Sequence, residues 1–109
     1  MPDAVLVLTT VPSMDVAEAI ARALVEARLA ACVNVLPAMV SVYRWKGEIQ
    51  RETEHQLIIK TARARLPALE EQLAQLHPYD LPELLVLQVE DGDPAYLSWV
   101  LTEADPEGG

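Results

Sequence analysis

The chain has 109 residues, of which 51% are hydrophobic, so it is long and apolar enough to form one domain without metal or disulfide staples. Its 17 acidic and eight basic side chains give a formal net charge of −9, which repels the phosphates of nucleic acids and anionic lipid headgroups. These values exclude nucleic acid and membrane surfaces as partners.

Cysteine usage and the amino terminus indicate the cellular compartment. Cys32 is the single cysteine and cannot form an internal disulfide, and residues 1–3 lack the basic start and apolar run of a secretory signal. Asn34 and Pro37 interrupt the longest apolar stretch before it reaches the roughly 20 residues of a membrane span. We therefore expect a cytoplasmic protein, with a single domain over residues 1–104 and a flexible tail at 105–109.

The first predicted elements are a strand and a helix. Residues Ala4–Thr9 form an apolar, β-branched run that stops at a proline, as a short buried strand does. Asp15 and Glu18 have the spacing of a capping box and precede apolar residues at helical intervals. The sequence predicts a first helix over about Asp15–Leu29.

A long hairpin is predicted next. Cys32–Trp45 and Ile49–Lys60 are both typical of strands, and Lys46-Gly47 between them supplies the residues of a tight turn. At about 3.3 Å per residue, arms of roughly 12 residues reach about 40 Å, whereas the outer strands reach little more than about 20 Å. The hairpin should overhang its own domain.

The remaining elements follow from leucine spacing. A second helix is predicted from the three- and four-residue steps of Leu66, Leu69, Leu73 and Leu76, and His77-Pro78 ends it. Residues Pro82–Glu90 contain a fourth strand at Leu84–Leu87, and Tyr96–Leu101 adds a terminal helix or strand. The order strand-helix-strand-strand-helix-strand predicts an α+β, ferredoxin-like (split βαβ) fold, with an antiparallel sheet and both helices on one face.

An overhanging two-stranded ribbon is marginal in water, and its free edges favour pairing with another chain. The polar alternation of Gln50, Glu52, Glu54 and Gln56 suits a wet interface between copies of the chain. The alternative is a bent or bulged hairpin that folds back onto its own domain.

Two residues are candidate ligands of a soft or borderline metal. Cys32 and His77 could bind copper or zinc, although one chain supplies too few ligands and symmetry would have to add more. Cys32 is better explained as a small packed hydrophobe, whereas His77 is equally well explained as a cap of the second helix. A Cys-His nucleophilic pair would also need an orienting third group.

Basic and aromatic residues indicate a binding cleft. Lys60, Arg63 and Arg65 cluster where the third strand becomes the second helix, so they could hold an anion or pair with surface acids. Lys60 comes directly after an apolar stretch of the strand, and its side chain could reach into a cleft. The proline-stiffened segment His77–Glu83 presents side chains for binding, and Tyr43 with Trp45 could form an apolar wall nearby.

The sequence resembles the CutA divalent-cation-tolerance family over nearly its whole length. The resemblance is carried by five separated motifs in the same order, which are Ala30–Asn34, Tyr43–Ile49, Ile59–Thr61, His77–Glu83 and Tyr96–Val100. It implies a tight homotrimer similar to the PII signalling proteins, with hairpins that pair between subunits. It also implies clefts between subunits lined by Cys32, Trp45, Lys60, His77, Tyr79 and Glu83.

The resemblance implies a role in tolerance of copper and other divalent cations. Some members have a cysteine where this chain has Thr9 and a second histidine where it has Leu76, and those residues have been suggested as copper ligands. Only His77 of that set is present here, so we expect any metal to bind weakly.

Three functional hypotheses follow. The first is a non-enzymatic homotrimer whose clefts bind a metal ion or small ligand weakly and which, in a PII-like role, contacts another protein. The second is a phosphoryl-handling enzyme, because acylphosphatases share this topology, yet the segment Thr9–Ser13 lacks their phosphate-binding arginine. An RNA-binding module of this topology would need exposed aromatic side chains on its strands and a positively charged surface. The third strand has no aromatic residue, and the net charge of the chain is negative.

Overall fold

The computed structural model describes residues 3–108 of the chain. Five strands and three α-helices lie in that part, and in chain order they are β1 (Ala4–Val11), α1 (Met14–Glu26), β2 (Cys32–Val35), β3 (Met39–Trp45), β4 (Glu48–Ala62), α2 (Leu66–Leu76), β5 (Leu85–Gln88) and α3 (Pro94–Glu103). A single 3₁₀ turn at Arg63–Arg65 joins β4 to α2. Within residues 3–108, no helix has both the length and the apolar character needed to cross a membrane.

The strands form an antiparallel sheet in the order β2-β4-β1-β5, with β3 paired to the far end of β4. Because side chains alternate between faces, Val5, Val7, Leu57 and Ile59 lie on one face and are buried against α1 and α2. The predicted α+β fold, with an antiparallel sheet and these two helices on one face, is therefore confirmed. The additional helix α3 packs through Val100 in a separate, smaller cluster.

The start of α1 differs from the prediction. Ser13 is the N-cap, and its hydroxyl accepts a hydrogen bond from the Val16 N–H at 3.2 Å. The predicted capping box of Asp15 and Glu18 is wrong, because Asp15 already lies in the first turn of the helix. There its negative charge interacts favourably with the positive end of the helix dipole. The helix also ends at Glu26, before Leu29.

The end of α1 is fixed by an arginine that the sequence did not single out. Arg28 has a φ of 57°, so the chain turns through the left-handed region there. Its guanidinium donates to the carbonyl oxygens of Asp105 at 2.8 Å and Thr102 at 3.3 Å, at the end of α3. Gly108 N–H also bonds to Asp105 O. Mobility of the tail at 105–109 stays a prediction, and Gly109 lies outside the described residues.

The predicted second strand is interrupted. Leu36–Ala38 separate β2 from β3, because Pro37 has no N–H to donate to a ladder. The two pieces still pair with one continuous strand, since β2 pairs with residues 57–60 and β3 with residues 48–54 of β4. The turn prediction is confirmed, as Lys46 and Gly47 both have positive φ between the paired residues Trp45 and Glu48.

The hairpin overhangs the domain, as predicted. Strand β1 reaches no further along β4 than His55, so residues 48–54 pair with β3 alone. We call this two-stranded part, Met39–Trp45 with Glu48–Glu54, the ribbon. The described chain measures 45 × 26 × 23 Å, which fits an extended ribbon and not the alternative of a hairpin folded back onto its own domain.

Candidate functional site

The two faces of the ribbon differ in chemistry. Residues directly opposite one another in an antiparallel pair point to the same face, so Tyr43 lies with Gln50, Trp45 with Glu48, and Met39 with Glu54. Along β4, this acidic and aromatic face of the ribbon is continuous with the face of the sheet that α1 and α2 do not cover. The opposite face of the ribbon has a different composition, namely Val40, Val42, Arg44, Ile49, Arg51 and Thr53.

A cleft of ≈ 910 Å³ lies between the acidic and aromatic face of the ribbon and the segment Pro78–Glu83. Two prolines restrict this segment, which holds it across the base of the ribbon. The lining residues include three carboxylates and three aromatic side chains but no lysine or arginine, and they are Thr10, Met39, Ser41, Val42, Tyr43, Trp45, Glu54, Gln56, Pro78, Tyr79, Asp80, Leu81, Pro82 and Glu83.

Glu54 is the buried carboxylate of the cleft, with only 7% of its surface exposed. The Tyr79 hydroxyl donates a hydrogen bond to Glu54 Oε2 at 2.7 Å. Burial raises the pKa of Tyr79 well above its ordinary value, and this hydrogen bond and the Glu54 charge add to the effect. Tyr79 therefore stays a neutral donor at physiological pH.

His77 positions this tyrosine. Its Nε2–H donates to the Thr10 carbonyl oxygen at 2.8 Å, since a carbonyl can only accept, and its Nδ1 accepts the Tyr79 backbone N–H at 3.2 Å. The two rings also contact, with centroids 4.9 Å apart. The buried side chain of His77 thus links β1 to the cleft. Its backbone N–H donates to the Leu73 carbonyl oxygen at 2.8 Å, so His77 also caps α2, as the sequence allowed.

The second carboxylate of the cleft is held by an amide. Gln56 Nε2 donates to Glu83 Oε2 at 3.1 Å and to the Thr9 carbonyl oxygen at 2.7 Å. An amide that donates both hydrogens cannot rotate freely, so it fixes Glu83 at the end of the restricted segment. Asp80, in the same segment, is exposed.

Three of the four predicted cleft residues line this cleft in one chain, namely Trp45, Tyr79 and Glu83. Lys60 does not, because its Nζ lies 3.2 Å from the Tyr96 hydroxyl and 5.5 Å from the centre of that ring. Glu48, the pairing partner of Trp45, is 12 residues from Lys60 along β4, a separation of about 40 Å. Lys60 therefore lies apart from the other three in one chain, and the predicted cleft between subunits that would group all four stays a prediction.

The predicted metal ligands do not meet in one chain. Cys32 lies opposite Lys60, whereas His77 contacts Thr10, which lies opposite Gln56 about 13 Å further along β4. Both ring nitrogens of His77 are already hydrogen-bonded. Residues 3–108 contain no group of three histidine, cysteine or carboxylate side chains that could hold a metal ion. The residues of one chain therefore do not fit a copper or zinc centre.

The basic cluster after β4 has a structural role in this chain. Arg65 Nε donates to the Arg28 carbonyl oxygen at 3.2 Å, which supports the turn after α1. Neither Arg63 nor Arg65 forms the predicted pair with a surface acid, as the one ion pair within residues 3–108 joins Arg28 to Glu103. The β1–α1 connection is only Pro12–Ser13, which brings no arginine to the position where acylphosphatases bind phosphate.

The sequence interpretation missed Glu54 as a member of the cleft. The signal for Glu54 was present, because a two-residue turn at Lys46-Gly47 fixes the register of the hairpin and aligns every second residue of β4 with the aromatic face. Asp80 lies in the segment His77–Glu83, which the sequence already indicated as a binding segment.

A second exposed apolar surface lies away from the ribbon. Leu85 and Leu87 of β5, at the sheet edge, are 55% and 45% exposed, and α3 adds Tyr96 and Trp99 with ring centroids 5.5 Å apart. We call these four residues the β5–α3 patch. Large apolar side chains that stay exposed on neighbouring parts of a fold can serve as a contact with another chain.

The sequence and the fold of this chain are similar to those of known proteins. Residues 5–103 match the family model of the CutA1 divalent ion tolerance protein. The divalent-cation tolerance protein CutA of Thermus thermophilus is 48% identical over 95 residues, which cover 87% of this chain and 92% of that protein. The crystal structure of CutA from Xylella fastidiosa has a TM-score of 0.91 at 48% identity and covers 94% of this chain and 99% of that one.

Relatives differ in length, and the description of one of them names a compartment. The chain spans 51–60% of the mouse, frog and human CutA proteins that it matches. A solved structure from Archaeoglobus fulgidus, with a TM-score of 0.90 and 30% identity over 94% of this chain and 99% of that one, is described as a periplasmic divalent cation tolerance protein. The cytoplasmic location of this chain therefore stays a prediction.

Proposed function

The chain belongs to the CutA1 divalent ion tolerance family, and on that premise we propose that it works as a non-enzymatic homotrimer whose clefts bind a small ligand or metal ion weakly. The relatives are named for tolerance of divalent cations and not for a catalysed reaction. The single observation that carries the proposal is the ribbon, which extends beyond its own sheet and exposes apolar side chains.

Two different apolar surfaces support a ring of copies. On the ribbon, Val42 is 67% exposed and Ile49 is 63% exposed, whereas Leu85 and Leu87 of the β5–α3 patch lie on the strand at the other edge of the sheet. When two distinct surfaces meet between copies, the contact is heterologous, and such contacts close into rings when the rotation permits. Three is the copy number that the family resemblance implies, and it makes the assembly similar to PII proteins.

An intersubunit cleft also accounts for Lys60. Because about 40 Å of strand separates it from the Trp45 end of the ribbon, both residues can belong to one cleft only if two copies contribute. A ring in which the ribbon of one copy reaches the β5–α3 patch of the next would bring the Lys60–Tyr96 pair of that copy near the first copy's cleft.

Metal binding would be weak in this assembly. His77 has to lose a hydrogen bond at one ring nitrogen before it can bind an ion, and Cys32 lies in a different part of the sheet. The contribution to cation tolerance would then come from a ligand signal passed to another protein, as in PII-like signalling, and not from sequestration of copper.

The assembly is tested with two charge substitutions and a matched control. Val42→Glu on the ribbon and Leu87→Glu in the β5–α3 patch should each reduce the mass measured by light scattering towards that of one chain, 12.0 kDa. Val25→Glu, at an exposed apolar position of α1 outside both surfaces, should leave the mass of the wild type unchanged. Circular dichroism checks that each variant is folded. If both test variants retain the wild-type mass, the proposed interface is wrong.

A further inference from the structure

The chain leaves α1 through a turn at which glycine is the usual residue. The Leu29 N–H donates to the Leu24 carbonyl oxygen at 2.9 Å. Inside this bond, the Arg28 N–H donates to the Val25 carbonyl oxygen at 3.0 Å, and the φ of Arg28 is 57°. A side chain in this left-handed region lowers stability, whereas glycine does not. The arginine is therefore unfavourable for the turn itself, so its presence has to be explained by what its side chain contacts.

The guanidinium of Arg28 binds the C-terminal end of α3. Its Nε donates to the Asp105 carbonyl oxygen at 2.8 Å. Its Nη2 donates to the Thr102 carbonyl oxygen and to Glu103 Oε1, each at 3.3 Å. Carbonyl groups at the end of a helix lack partners within it and attract positive charge, yet the last turn of α3 contains no basic residue. Arg28, which is 75 residues from Glu103 in the chain, supplies that charge.

The apolar contacts that hold α3 on the sheet are small. Val100 is the buried residue of α3, and the cluster that it joins contains Ala4 and Ala31, which offer little apolar area. By contrast, α1 buries Ile20 and Leu24 in the main core. An isolated helix of 10 residues is marginal in water, so α3 stays helical only while it is docked.

The segment after α3 lies against the same arginine. The Gly108 N–H donates to the Asp105 carbonyl oxygen at 3.0 Å, and a Cβ at position 108 would lie 3.4 Å from Arg28 Cζ. Helix α3 and this segment are therefore attached to the rest of the chain through one guanidinium and one small apolar cluster. We call residues 94–108 the strap.

We propose that the strap opens as a unit, that Arg28 holds it closed, and that contact with a second copy of the chain stabilises the closed state. The strap carries Tyr96 and Trp99, which are half of the β5–α3 patch, so opening removes half of the surface that a neighbouring ribbon would contact. The coupling is reciprocal, because occupation of a surface that exists only in the closed state favours that state. Only the role of the second copy rests on the proposed function.

Hydrogen exchange of the native full-length chain in low urea measures the opening. In the wild type, the amides of α3 should open at least about tenfold more often than those of β1 and β4, and with a weaker dependence on urea, because less surface becomes exposed. Arg28→Gly removes the guanidinium and also relieves the turn, so a role in the turn alone predicts unchanged or slower exchange. We expect the opposite in α3, with exchange at least about tenfold faster than in the wild type.

Two further variants complete the test. Arg22→Ala removes an exposed arginine of α1, changes the net charge equally, and should leave the exchange of α3 unchanged. Leu87→Glu, which should separate the copies, should speed the exchange of α3 at least about fivefold, because no neighbour then holds the strap closed.

Three results would overturn the proposal. Opening of α3 with the frequency and urea dependence of β1 and β4 would show that the strap is not a separate unit. Exchange in Arg28→Gly no faster than in Arg22→Ala would show that the guanidinium does not hold it closed. Equal exchange of α3 in Leu87→Glu and in the wild-type assembly would remove the coupling to a second copy. Light scattering on the same samples distinguishes these results from failure of the proposed function, in which the wild type itself is a monomer.

Discussion

Thr9 and Thr61 provide a matched test of the core beneath the cleft. Both side chains are fully buried, at 0% exposure, and lie on the sheet face that α1 and α2 cover. The Thr61 hydroxyl donates to the Leu29 carbonyl oxygen at 2.7 Å, whereas the Thr9 hydroxyl has no hydrogen-bonding partner within residues 3–108. The same substitution to valine should therefore have opposite effects at the two positions.

The magnitudes follow from the cost of burying polar groups. A buried hydroxyl without a partner costs about 1–3 kcal/mol, so Thr9→Val should raise the free energy of unfolding by about 1–2 kcal/mol. Thr61→Val removes a made hydrogen bond and leaves the Leu29 carbonyl without its hydroxyl partner, which should lower that free energy by about 1–3 kcal/mol. The shape of the side chain is nearly the same in both substitutions.

Urea unfolding measures both effects. The variants are compared at one chain concentration, because the stability of an assembly depends on concentration, and the midpoint should shift with an unchanged slope. A decrease in stability for Thr9→Val, or shifts of the same sign for both variants, would refute the assignment of an unpaired hydroxyl at Thr9.

Three further predictions concern other positions. Arg28→Ala should lower the free energy of unfolding by about 1–2 kcal/mol in urea, because it removes charged donors to the end of α3, and equal stability to wild type would contradict this. Gly47→Ala should destabilise by about 1 kcal/mol, since its φ of 82° disfavours a side chain, and an unchanged thermal midpoint would refute it. Burial and the neighbouring Glu54 raise the pKa of Tyr79 above its ordinary value of 10.0, so the folded state holds this proton more tightly than the unfolded state does. The free energy of unfolding should therefore decline above about pH 10, and Tyr79→Phe should reduce that decline in pH-jump unfolding. An identical decline in the variant would contradict the link between Tyr79 ionisation and stability.

The sequence predicted most of the fold because the relevant signals are local. Leucine spacing in α2 and the Lys46-Gly47 turn each depend on neighbouring residues, and both are confirmed. The capping residue of α1 was misassigned because Ser13 and Asp15 are both good caps, and only backbone geometry decides between them. The interruption at Pro37 was visible in the sequence, but which segment of β4 each piece pairs with depends on long-range contacts.

The candidate site was less predictable because it is assembled from distant segments. Trp45, Tyr79 and Glu83 come from two parts of the chain and do share a cleft. The position of Lys60 could not be deduced from its place after an apolar run, because strand length separates it from the ribbon tip. His77 was recognisable as a functional candidate, yet sequence could not reveal that both ring nitrogens are bonded within the chain.

The central claim is that neighbouring copies complete the ribbon, and sedimentation velocity over a dilution series tests it most directly. We predict a single species with about three times the 12.0 kDa mass of the chain, stable down to low micromolar concentration. A well-behaved monomer at the same concentrations would contradict the account, because the ribbon and the β5–α3 patch would then have to stay exposed to water without a partner chain.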